Sequence, residues 1–314
     1  MIHVADRIQT DMDRTGSIAC VGLDPRPDLL PPSLRHQMLE RHGDTNEGVA
    51  AAFVEFNRRI IDAIAGRCAA VKPQAACYEA YGAPGWDALA ETVRIAQEAG
   101  LVVVVDAKRG DIGSTSAHYR QAFFGGAPGL GEGPAPAPMR ADWLTVNPYL
   151  GWDNVGEFLD PAPGRHGVFV LAKTSNASSG EVQDRLCLDD DHADRRETVA
   201  DAVARLIRGW GADRLGDAGL SDVGAVVGAT YPDEARRLRL LMPDTLFLVP
   251  GYGAQGATAA DAVAGRRSDG RGVLVSSSRG VIGAWQRAAD PEDWGAAARQ
   301  ALDIMNDDLA AARA

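Results

Sequence analysis

The sequence predicts an α/β fold of the (β/α)8 type, a TIM barrel whose eight parallel strands form a closed sheet. Eight short apolar runs recur along the chain, and nearly all of them are separated by segments with helical periodicity. Strict alternation of strands and helices requires a parallel sheet, and the lack of a recognisable edge strand favours closure over the alternative, an open doubly wound sheet. A length of 314 residues suits one such domain, which we expect to span residues 1–314.

Each expected strand is a short apolar run that ends at a polar or turn-forming residue, as in strands buried on both faces. The first run, SIACVGLD, follows Gly16 and ends in a carboxylate, and the runs AAVK, WLTVN and VFVLAK also end in polar side chains. In chain order, strands are expected at residues 17–24, 69–74, from 101 onward, 143–147, 167–173, 223–227, 245–249 and 272–276.

Apolar side chains at helical spacing predict the helices between these strands. Phe53, Phe56, Ile60 and Ile64 mark the buried face of one helix, and Gly100 ends the next helix. Helices are expected at residues 4–14 (a short N-terminal helix), 48–65, 86–99, 114–124, 154–159, 195–210, 232–241, 258–264 and 291–311. Three segments are expected to be irregular: a polar connection at 24–46, a Gly/Pro-rich surface insertion at about 125–141, and a candidate active-site loop at 175–194.

The most informative stretch is LVVVVDAKRGDIGST at residues 101–115, an apolar strand that ends in charge. Residues two apart in a strand point the same way, so Asp106 and Lys108 share a face, and Asp111 follows Gly110 in the loop beyond. Two carboxylates and an amine gathered at a strand end are electrostatically costly unless a ligand or a reaction uses them. A solvated ion-pair turn is the non-functional interpretation of the same pattern.

Lysine usage favours the functional interpretation. The chain has three lysines, Lys72, Lys108 and Lys173, whereas the other 29 of its 32 Lys and Arg residues are arginines. All three lysines end apolar runs, although a random scatter would have put most of them on helix surfaces. An ammonium group can give up a proton, which a guanidinium does not do in proteins. We therefore expect chemistry that depends on an amine at a strand end.

The carboxyl ends of the strands meet at one face of a TIM barrel, where these barrels carry their active sites. Asp24 and Lys72 end the first two expected strands and would extend the charged group there. Asn147 and Thr230 also lie at strand ends, but a strand-end cap is the simpler interpretation for both. For Lys173, the simpler interpretation is an ion pair within the barrel.

The loops after the last two strands have the composition of a phosphate site. The loop after strand seven has conformational freedom from three glycines, Gly251, Gly253 and Gly256, and the run SSSRG at 276–280 follows strand eight. TIM barrels frequently bind phosphate between these two loops on backbone N–H groups, and Arg279 would add a bidentate donor. Dinucleotide-binding folds share the GxGxxG spacing, but they need an acidic residue at the end of the next strand, which this chain lacks.

Composition argues against several function classes. A net charge of −11 disfavours nucleic acids and anionic membranes as partners. The four cysteines show no metal or redox spacing, so we expect small buried side chains in a reducing cytoplasm. The N-terminal segment is not a signal peptide, and no apolar run is long enough to span a membrane. No histidine lies at an expected strand end and lysines stand between the carboxylates, so we expect neither a zinc site nor a Mg²⁺ site.

These features together indicate charge-driven chemistry on a phosphorylated metabolite. The chain resembles the orotidine 5′-phosphate decarboxylase family, in particular its bacterial subgroup with the motif DAKRGDIGST. The resemblance covers most of the chain and includes ACVGLDPRPDLL, AAVKPQAACYEAYG, DAKRGDIGSTSAHY, LTVNPYLGWD, VFVLAKTSNASS and LVPGYGAQG. It implies a cytoplasmic homodimer of (β/α)8 barrels that converts orotidine 5′-monophosphate to uridine 5′-monophosphate in pyrimidine synthesis, without metal or cofactor.

The resemblance also implies roles for individual residues. Lys108 would be the proton donor to C6 of the pyrimidine, Asp106 would lie against the departing carboxylate, and Asp111 would act across the dimer with Thr115. The other implied contacts are Asp24 and Lys72 with the ribose hydroxyls, Ser175 with the pyrimidine, and Gln255, Arg279 and the Gly280 backbone with the phosphate.

Three other functions stay open at this point. A sugar-phosphate decarboxylase or aldolase of the same superfamily shares the DxKxxD pattern, but those enzymes bind Mg²⁺ and carry an acidic residue where this chain has Lys72. A Schiff-base aldolase would use Lys173 or Lys108 as its nucleophile. A non-catalytic sensor would bind a phosphorylated ligand without turnover, but it gives no reason for three lysines at strand ends.

Overall fold

The computed structural model describes residues 2–189 and 192–313. Within them, eight parallel strands close a barrel and two further strands form an antiparallel hairpin. The strands are β1 (Ala19–Leu23), β2 (Ala70–Pro73), β3 (Val102–Arg109), β4 (Trp143–Val146), β5 (Gly167–Lys173), β6 (Leu186–Asp189), β7 (His192–Thr198), β8 (Val223–Val227), β9 (Phe247–Pro250) and β10 (Val273–Ser277). The order around the barrel is β1, β2, β3, β4, β5, β8, β9 and β10, and β10 pairs with β1. The predicted (β/α)8 barrel is confirmed.

Helices cover the outside of the barrel between successive strands. Thr45 caps the start of the helix α3 (Asn46–Ile64), since its side chain accepts a hydrogen bond from the Gly48 amide. The helix buries the apolar face that the sequence predicts. The others are α1 (Val4–Thr15), α2 (Pro32–His42), α4 (Ala75–Glu79), α5 (Gly82–Glu98), α6 (Gly113–Phe124), α7 (Trp152–Val155), α8 (Gly180–Gln183), α9 (Val199–Gly211), α10 (Pro232–Leu241), α11 (Ala259–Ala262), α12 (Arg279–Ile282) and α13 (Trp294–Arg313).

The prediction of an irregular polar connection at 24–46 is wrong, because this segment contains the helix α2. The helix begins with Pro32 in its first turn, where the missing N–H costs nothing, and it buries Leu34 and Met38 against the core. Two apolar side chains one turn apart are too weak a periodic signal to reveal a helix of 11 residues. The proline at its start was the available indication.

The segment expected to be irregular at 175–194 is also more ordered than predicted. It contains a 3-10 turn (Ala177–Ser179), the helix α8 and most of the β6–β7 hairpin, although residues 190 and 191 lie outside the described residues. The helix expected from residue 195 begins at Val199 instead. Thr198 and Asp201 form a reciprocal capping box at its start, so the chain before Thr198 is free to form the strand β7.

The amino-terminal end of the barrel is filled by stacked aromatic side chains. The rings of Trp143 and Phe169 lie 4.5 Å apart at an interplanar angle of 27°. Glycines make room for them: a Cβ atom on Gly167 would overlap the Trp143 ring, and one on Gly224 would lie 2.6 Å from the Phe169 ring. Because this end is packed, an internal cavity can form only toward the carboxyl ends of the strands.

The remaining expectations from composition are met in part. The insertion at 125–141 contains no helix or strand, apart from one bridge between Pro128 and Pro134, and Leu130 at its tip is fully exposed. Cys20 and Cys68 are fully buried, as expected, whereas Cys77 and Cys187 are partly exposed. Among the described helices, none combines the length and apolar character that crossing a membrane requires.

Candidate active site

A cavity of about 580 Å³ opens at the carboxyl ends of the barrel strands. Side chains from seven of the eight barrel strands, or from the loops that follow them, line it, so the closed sheet brings together residues that are distant in sequence. Of the residues to which the resemblance assigns roles, those that line the cavity are Asp24, Lys72, Asp106, Lys108, Ser175, Gln255 and Arg279.

The Asp106 carboxylate is the centre of a charged cluster at the wall of the cavity. Its Oδ2 accepts hydrogen bonds from Lys72 Nζ at 2.7 Å and from Gln74 Nε2 at 2.9 Å. Its Oδ1 accepts from Lys108 Nζ at 2.6 Å and from Thr145 Oγ1 at 2.9 Å. Four donors from three neighbouring strands therefore fix the position of one buried carboxylate.

The charges of this cluster stabilise one another. Burial alone would raise the pKa of Asp106, but the Lys72 and Lys108 ammonium groups outweigh it and hold the pKa well below its usual range. Burial would lower the pKa of Lys72, but the Asp106 and Asp24 carboxylates outweigh it and raise the pKa above its ordinary value. Asp106 is thus a carboxylate and Lys72 an ammonium at neutral pH.

Lys108 differs from Lys72 in exposure and in backbone conformation. The Lys72 side chain is 8% exposed, whereas that of Lys108 is 46% exposed and reaches into the cavity. Lys108 has a φ of 50°, and it is the one non-glycine residue with positive φ among those described. The pairing of β3 with β4 shifts register between Val105 and Arg109, so β3 bulges where Lys108 lies. An unfavourable backbone conformation at this position thus directs the Lys108 ammonium into the cavity.

Two buried polar atoms lie on the opposite side of Lys72, at the ends of β1 and β10. Asp24 Oδ1 and Ser278 Oγ have no hydrogen-bond partner among the described residues. The two strands approach closely there, because a Cβ atom on Gly22 would lie 2.6 Å from Ser278 Cβ. Buried polar atoms are nearly always paired in proteins, so these two are available to a bound ligand.

The predicted phosphate loops form the far wall of the cavity. Gly251, Gly253 and Gly256 adopt φ values of 111°, 69° and 89°, which only glycine adopts without strain. Gln255 and Arg279 are both exposed and have no side-chain hydrogen bond to another described residue. Arg279 also opens the helix α12, whose first amides have no acceptor within the helix. These donors suit an anionic group at this end of the cavity.

Lys173 lies outside the cavity, as its ion-pair interpretation predicts. Its ammonium is fully buried, pairs with Asp184, lies 3.2 Å from Glu234 and lies 4.5 Å from the centre of the Tyr231 ring. A register shift between Leu171 and Lys173 turns its side chain away from the barrel interior, where Leu171 points. Burial would lower the pKa of Lys173, but its two carboxylate partners outweigh it.

The three other residues to which the resemblance assigns roles, Asp111, Thr115 and Gly280, do not line the cavity. Asp111 and Thr115 lie at the start of α6, Thr115 is exposed, and Asp111 Oδ1 accepts a hydrogen bond from the Ile112 amide. Gly280 follows Arg279 in α12 and is partly buried. Asn147 and Thr230 are strand-end caps, since Asn147 accepts from the Tyr149 amide and Thr230 donates to a loop carbonyl.

Sequence reasoning missed three residues that shape the cavity. Gln74 follows Lys72 by two positions and so shares its face, which was a usable signal. Thr145 is the one hydroxyl in the apolar run WLTV, and its proximity to Asp106 depends on the pairing of β4 with β3. Gln183 enters the cavity from α8 and exchanges hydrogen bonds with Thr174 across a loop of unpredictable path. Within the described residues, no group of three or more His, Cys, Asp or Glu side chains could hold a metal ion.

Comparison with known proteins agrees with this geometry. The family model described as "Orotidine 5′-phosphate decarboxylase / HUMPS family" matches residues 19–292. An orotidine 5′-phosphate decarboxylase of Rhodopirellula baltica is 42% identical over 315 residues, which cover 98% of this chain and 99% of that protein. One of Haloarcula marismortui is 41% identical over 93% of this chain and 91% of its own length.

Solved structures show the same relationship. The structure of Leishmania donovani OMP decarboxylase has a TM-score of 0.74 and 34% identity, with 99% of each chain covered. Leishmania donovani UMP synthase has a TM-score of 0.76 and 34% identity, and the match covers all of this chain but 57% of that longer one. The barrel, the charged cluster and these relatives lead to one conclusion: this chain belongs to the orotidine 5′-phosphate decarboxylase / HUMPS family.

Proposed function

We propose that this protein decarboxylates orotidine 5′-monophosphate to uridine 5′-monophosphate, and that it needs neither a metal nor an organic cofactor. The observation that carries the proposal is the placement of the Lys108 ammonium, 2.6 Å from the buried Asp106 carboxylate and inside a cavity whose far wall suits a phosphate. Relatives named for this activity match nearly the whole chain, which favours the same substrate here. The reaction belongs to pyrimidine biosynthesis, which we place in the cytoplasm.

In the proposed step, the bond between C6 and the carboxylate carbon breaks and carbon dioxide leaves. The electron pair stays on C6, where the Lys108 ammonium stabilises the developing negative charge and then transfers a proton, forming the C6–H bond. The neutral amine regains a proton from solvent. Asp106 would lie against the substrate carboxylate, and its fixed charge favours departure of that group as neutral carbon dioxide.

The rest of the cavity would bind the parts of the substrate that do not react. Asp24, with its unpaired Oδ1, and the Lys72 ammonium suit the ribose hydroxyls. Ser175 also lines the cavity, and we assign it to the pyrimidine. Gln255, Arg279 and the Gly280 backbone would bind the phosphate. Binding energy from the ribose and the phosphate would hold the pyrimidine against Lys108.

We also propose that the protein works as a homodimer in which Asp111 and Thr115 complete the active site of the second copy. Both residues lie outside their own cavity. The surface next to Asp111 is apolar and exposed: Ile112, Tyr149 and Trp152 have exposed fractions of 67%, 87% and 47%. Large apolar side chains grouped at the surface mark an interaction site, and a second copy would cover them.

The geometry disfavours the alternatives that use a lysine nucleophile or Mg²⁺. A Schiff base on Lys173 would require attack by an amine that is fully buried between two carboxylates and outside the cavity. For Mg²⁺, the carboxylate best placed in the cavity, Asp106, already accepts hydrogen bonds from two ammonium groups. Lys108 is open to a carbonyl substrate, so borohydride trapping is the test of a Schiff base there.

The test of the proposed function is product identification with two variants of Lys108. The purified protein should convert orotidine 5′-monophosphate to equal amounts of uridine 5′-monophosphate and carbon dioxide. Lys108→Ala should abolish turnover yet still bind uridine 5′-monophosphate, measured by calorimetry. Lys108→Arg keeps a positive charge but does not release a proton, so it should also be inactive if proton transfer is needed. Near-normal turnover in either variant would contradict the mechanism.

A further inference from the structure

We propose that Thr145 is a positioning residue for the reaction, because its hydroxyl holds both ends of Lys108 against Asp106. The inference rests on the proposed function, and it assigns a role to a residue outside the substrate-binding set. Thr145 lies in β4, is 1% exposed, and does not itself line the cavity.

The first observation is the main-chain contact of Lys108. At the bulge of β3, the Lys108 N–H donates to Thr145 Oγ1 at 2.9 Å instead of to a backbone carbonyl of β4. The positive φ of Lys108, 50°, is unfavourable for a residue with a side chain. The contact with Thr145 satisfies the amide in that conformation, so it opposes relaxation of the bulge into a regular strand.

The second observation is the direction of the hydrogen bonds around the hydroxyl. An N–H group can only donate and an ionised carboxylate can only accept, so the Thr145 hydroxyl accepts from Lys108 N and donates to Asp106 Oδ1. The Lys108 ammonium donates to the same Oδ1. A closed circuit therefore runs from the Lys108 amide through Thr145 and Asp106 to the Lys108 ammonium, and it fixes the amine relative to its own backbone.

The local sequence supports a specific need for the hydroxyl. Thr145 is surrounded by the apolar residues of WLTV and faces a closed barrel, where valine would have the same shape and no polar atom to bury. A buried hydroxyl is favourable only where its hydrogen bonds are made. Here both are made, and both lead to the residues proposed to carry out the reaction.

The experiment compares Thr145→Val, which removes the hydroxyl at constant shape, with Thr145→Ser, which retains it. A displacement of about 1 Å at a reacting group costs roughly 100-fold in rate. We therefore expect Thr145→Val to lower kcat by about 30-fold or more, with KM changed by less than about threefold because the binding groups are untouched. Thr145→Ser should keep kcat within about fivefold of the wild-type value.

Controls separate positioning from a loss of stability. Thr92→Val is the matched control, since Thr92 is another fully buried threonine, and neither it nor its hydroxyl's partners, Ala88 O and Asn57, line the cavity. It should lower the melting temperature to a similar extent and leave kcat unchanged. If Thr145→Val does not fold, Thr145→Ala takes the place of that variant, because it removes the same hydroxyl and adds no second methyl group in the core.

A second readout does not depend on activity. The chain has three lysines, and Lys108 is the exposed one, so its labelling by trinitrobenzenesulfonate can be followed by peptide mass spectrometry. Loss of the Thr145 hydroxyl should loosen the ion pair and raise the labelling rate of Lys108 at least threefold, and Thr145→Ser should not. An unchanged rate would overturn the proposal, as would wild-type kcat in Thr145→Val. If the wild-type protein does not decarboxylate the nucleotide, the proposed function fails, and the labelling rates alone decide the role of Thr145.

Discussion

Replacing Asp106 by asparagine tests whether the charges of Asp106 and its lysine partners balance one another when no substrate is bound. The Asp106 carboxylate is 7% exposed and Lys72 is 6% exposed, with their charged atoms 2.7 Å apart. Removing one partner of a buried ion pair leaves an uncompensated buried charge and costs about 3–5 kcal/mol. The pair with Lys108 adds little, because that ammonium is half exposed and screened by water. We expect Asp106→Asn to lower the free energy of unfolding by about 3–5 kcal/mol.

The expected change can be converted to a melting temperature. An unfolding entropy of about 2.1 cal/mol/K per residue gives roughly 0.66 kcal/mol/K for this chain length. The melting temperature of Asp106→Asn should therefore fall by about 5–8 °C in calorimetry at neutral pH. Asp28→Asn is the matched control, because Asp28 pairs with Arg26 at the surface and is 70% exposed in its side chain. That change should alter stability by less than about 0.5 kcal/mol.

The pH dependence gives an independent check on Asp106. The pKa of its carboxyl group is depressed in the folded protein, so its contribution to stability is present above the unfolded pKa of about 3.9 and is lost as pH falls toward the folded value. The difference in stability between wild type and Asp106→Asn should be constant above about pH 5 and shrink below about pH 4. A variant as stable as wild type, or more stable, would refute the reasoning and indicate that the cluster stores electrostatic strain.

Two further predictions concern the surroundings of the site. Lys173→Met should raise KM by about fivefold, which corresponds to roughly 1 kcal/mol of binding free energy, with a smaller change in kcat. The reason is that the ion pair with Asp184 anchors the loop that carries Ser175. An unchanged KM in steady-state assays would contradict that role. Mixed dimers of Lys108→Ala and Asp111→Ala should regain activity, since one of the two sites in every mixed dimer would hold both residues intact, and no recovery in verified mixed dimers would count against sharing across the interface.

Much of the fold followed from local sequence signals. Buried strands can be recognised in a sequence as apolar runs with polar ends, and every barrel strand was located in this way. The helix α2 and the β6–β7 hairpin were missed because neither carries a strong periodic apolar pattern: α2 buries two side chains, Leu34 and Met38. The exposed Leu186 and Leu188 of the hairpin alternate as strand residues do, but two such positions are a weak signal.

The candidate site was predictable where it depended on strand ends and not where it depended on register. Asp106 and Lys108 share a face by the alternation of a strand, and the closed barrel brings Lys72 beside them. Thr145 meets Asp106 only because of the way β4 pairs with a bulged β3, which no local pattern encodes. A second bulge turns Lys173 outward, so its position at a strand end alone could not show which side of the barrel it occupies.

Decarboxylation by Lys108 and its carboxylate neighbours without a metal can be followed by the change in ultraviolet absorbance of orotidine 5′-monophosphate with purified wild-type protein, before and after extensive treatment with EDTA. Because no metal takes part in the proposed reaction, we expect rapid loss of the substrate absorbance at the same rate in both samples. No absorbance change, or a rate that EDTA removes and Mg²⁺ restores, would refute the proposed reaction.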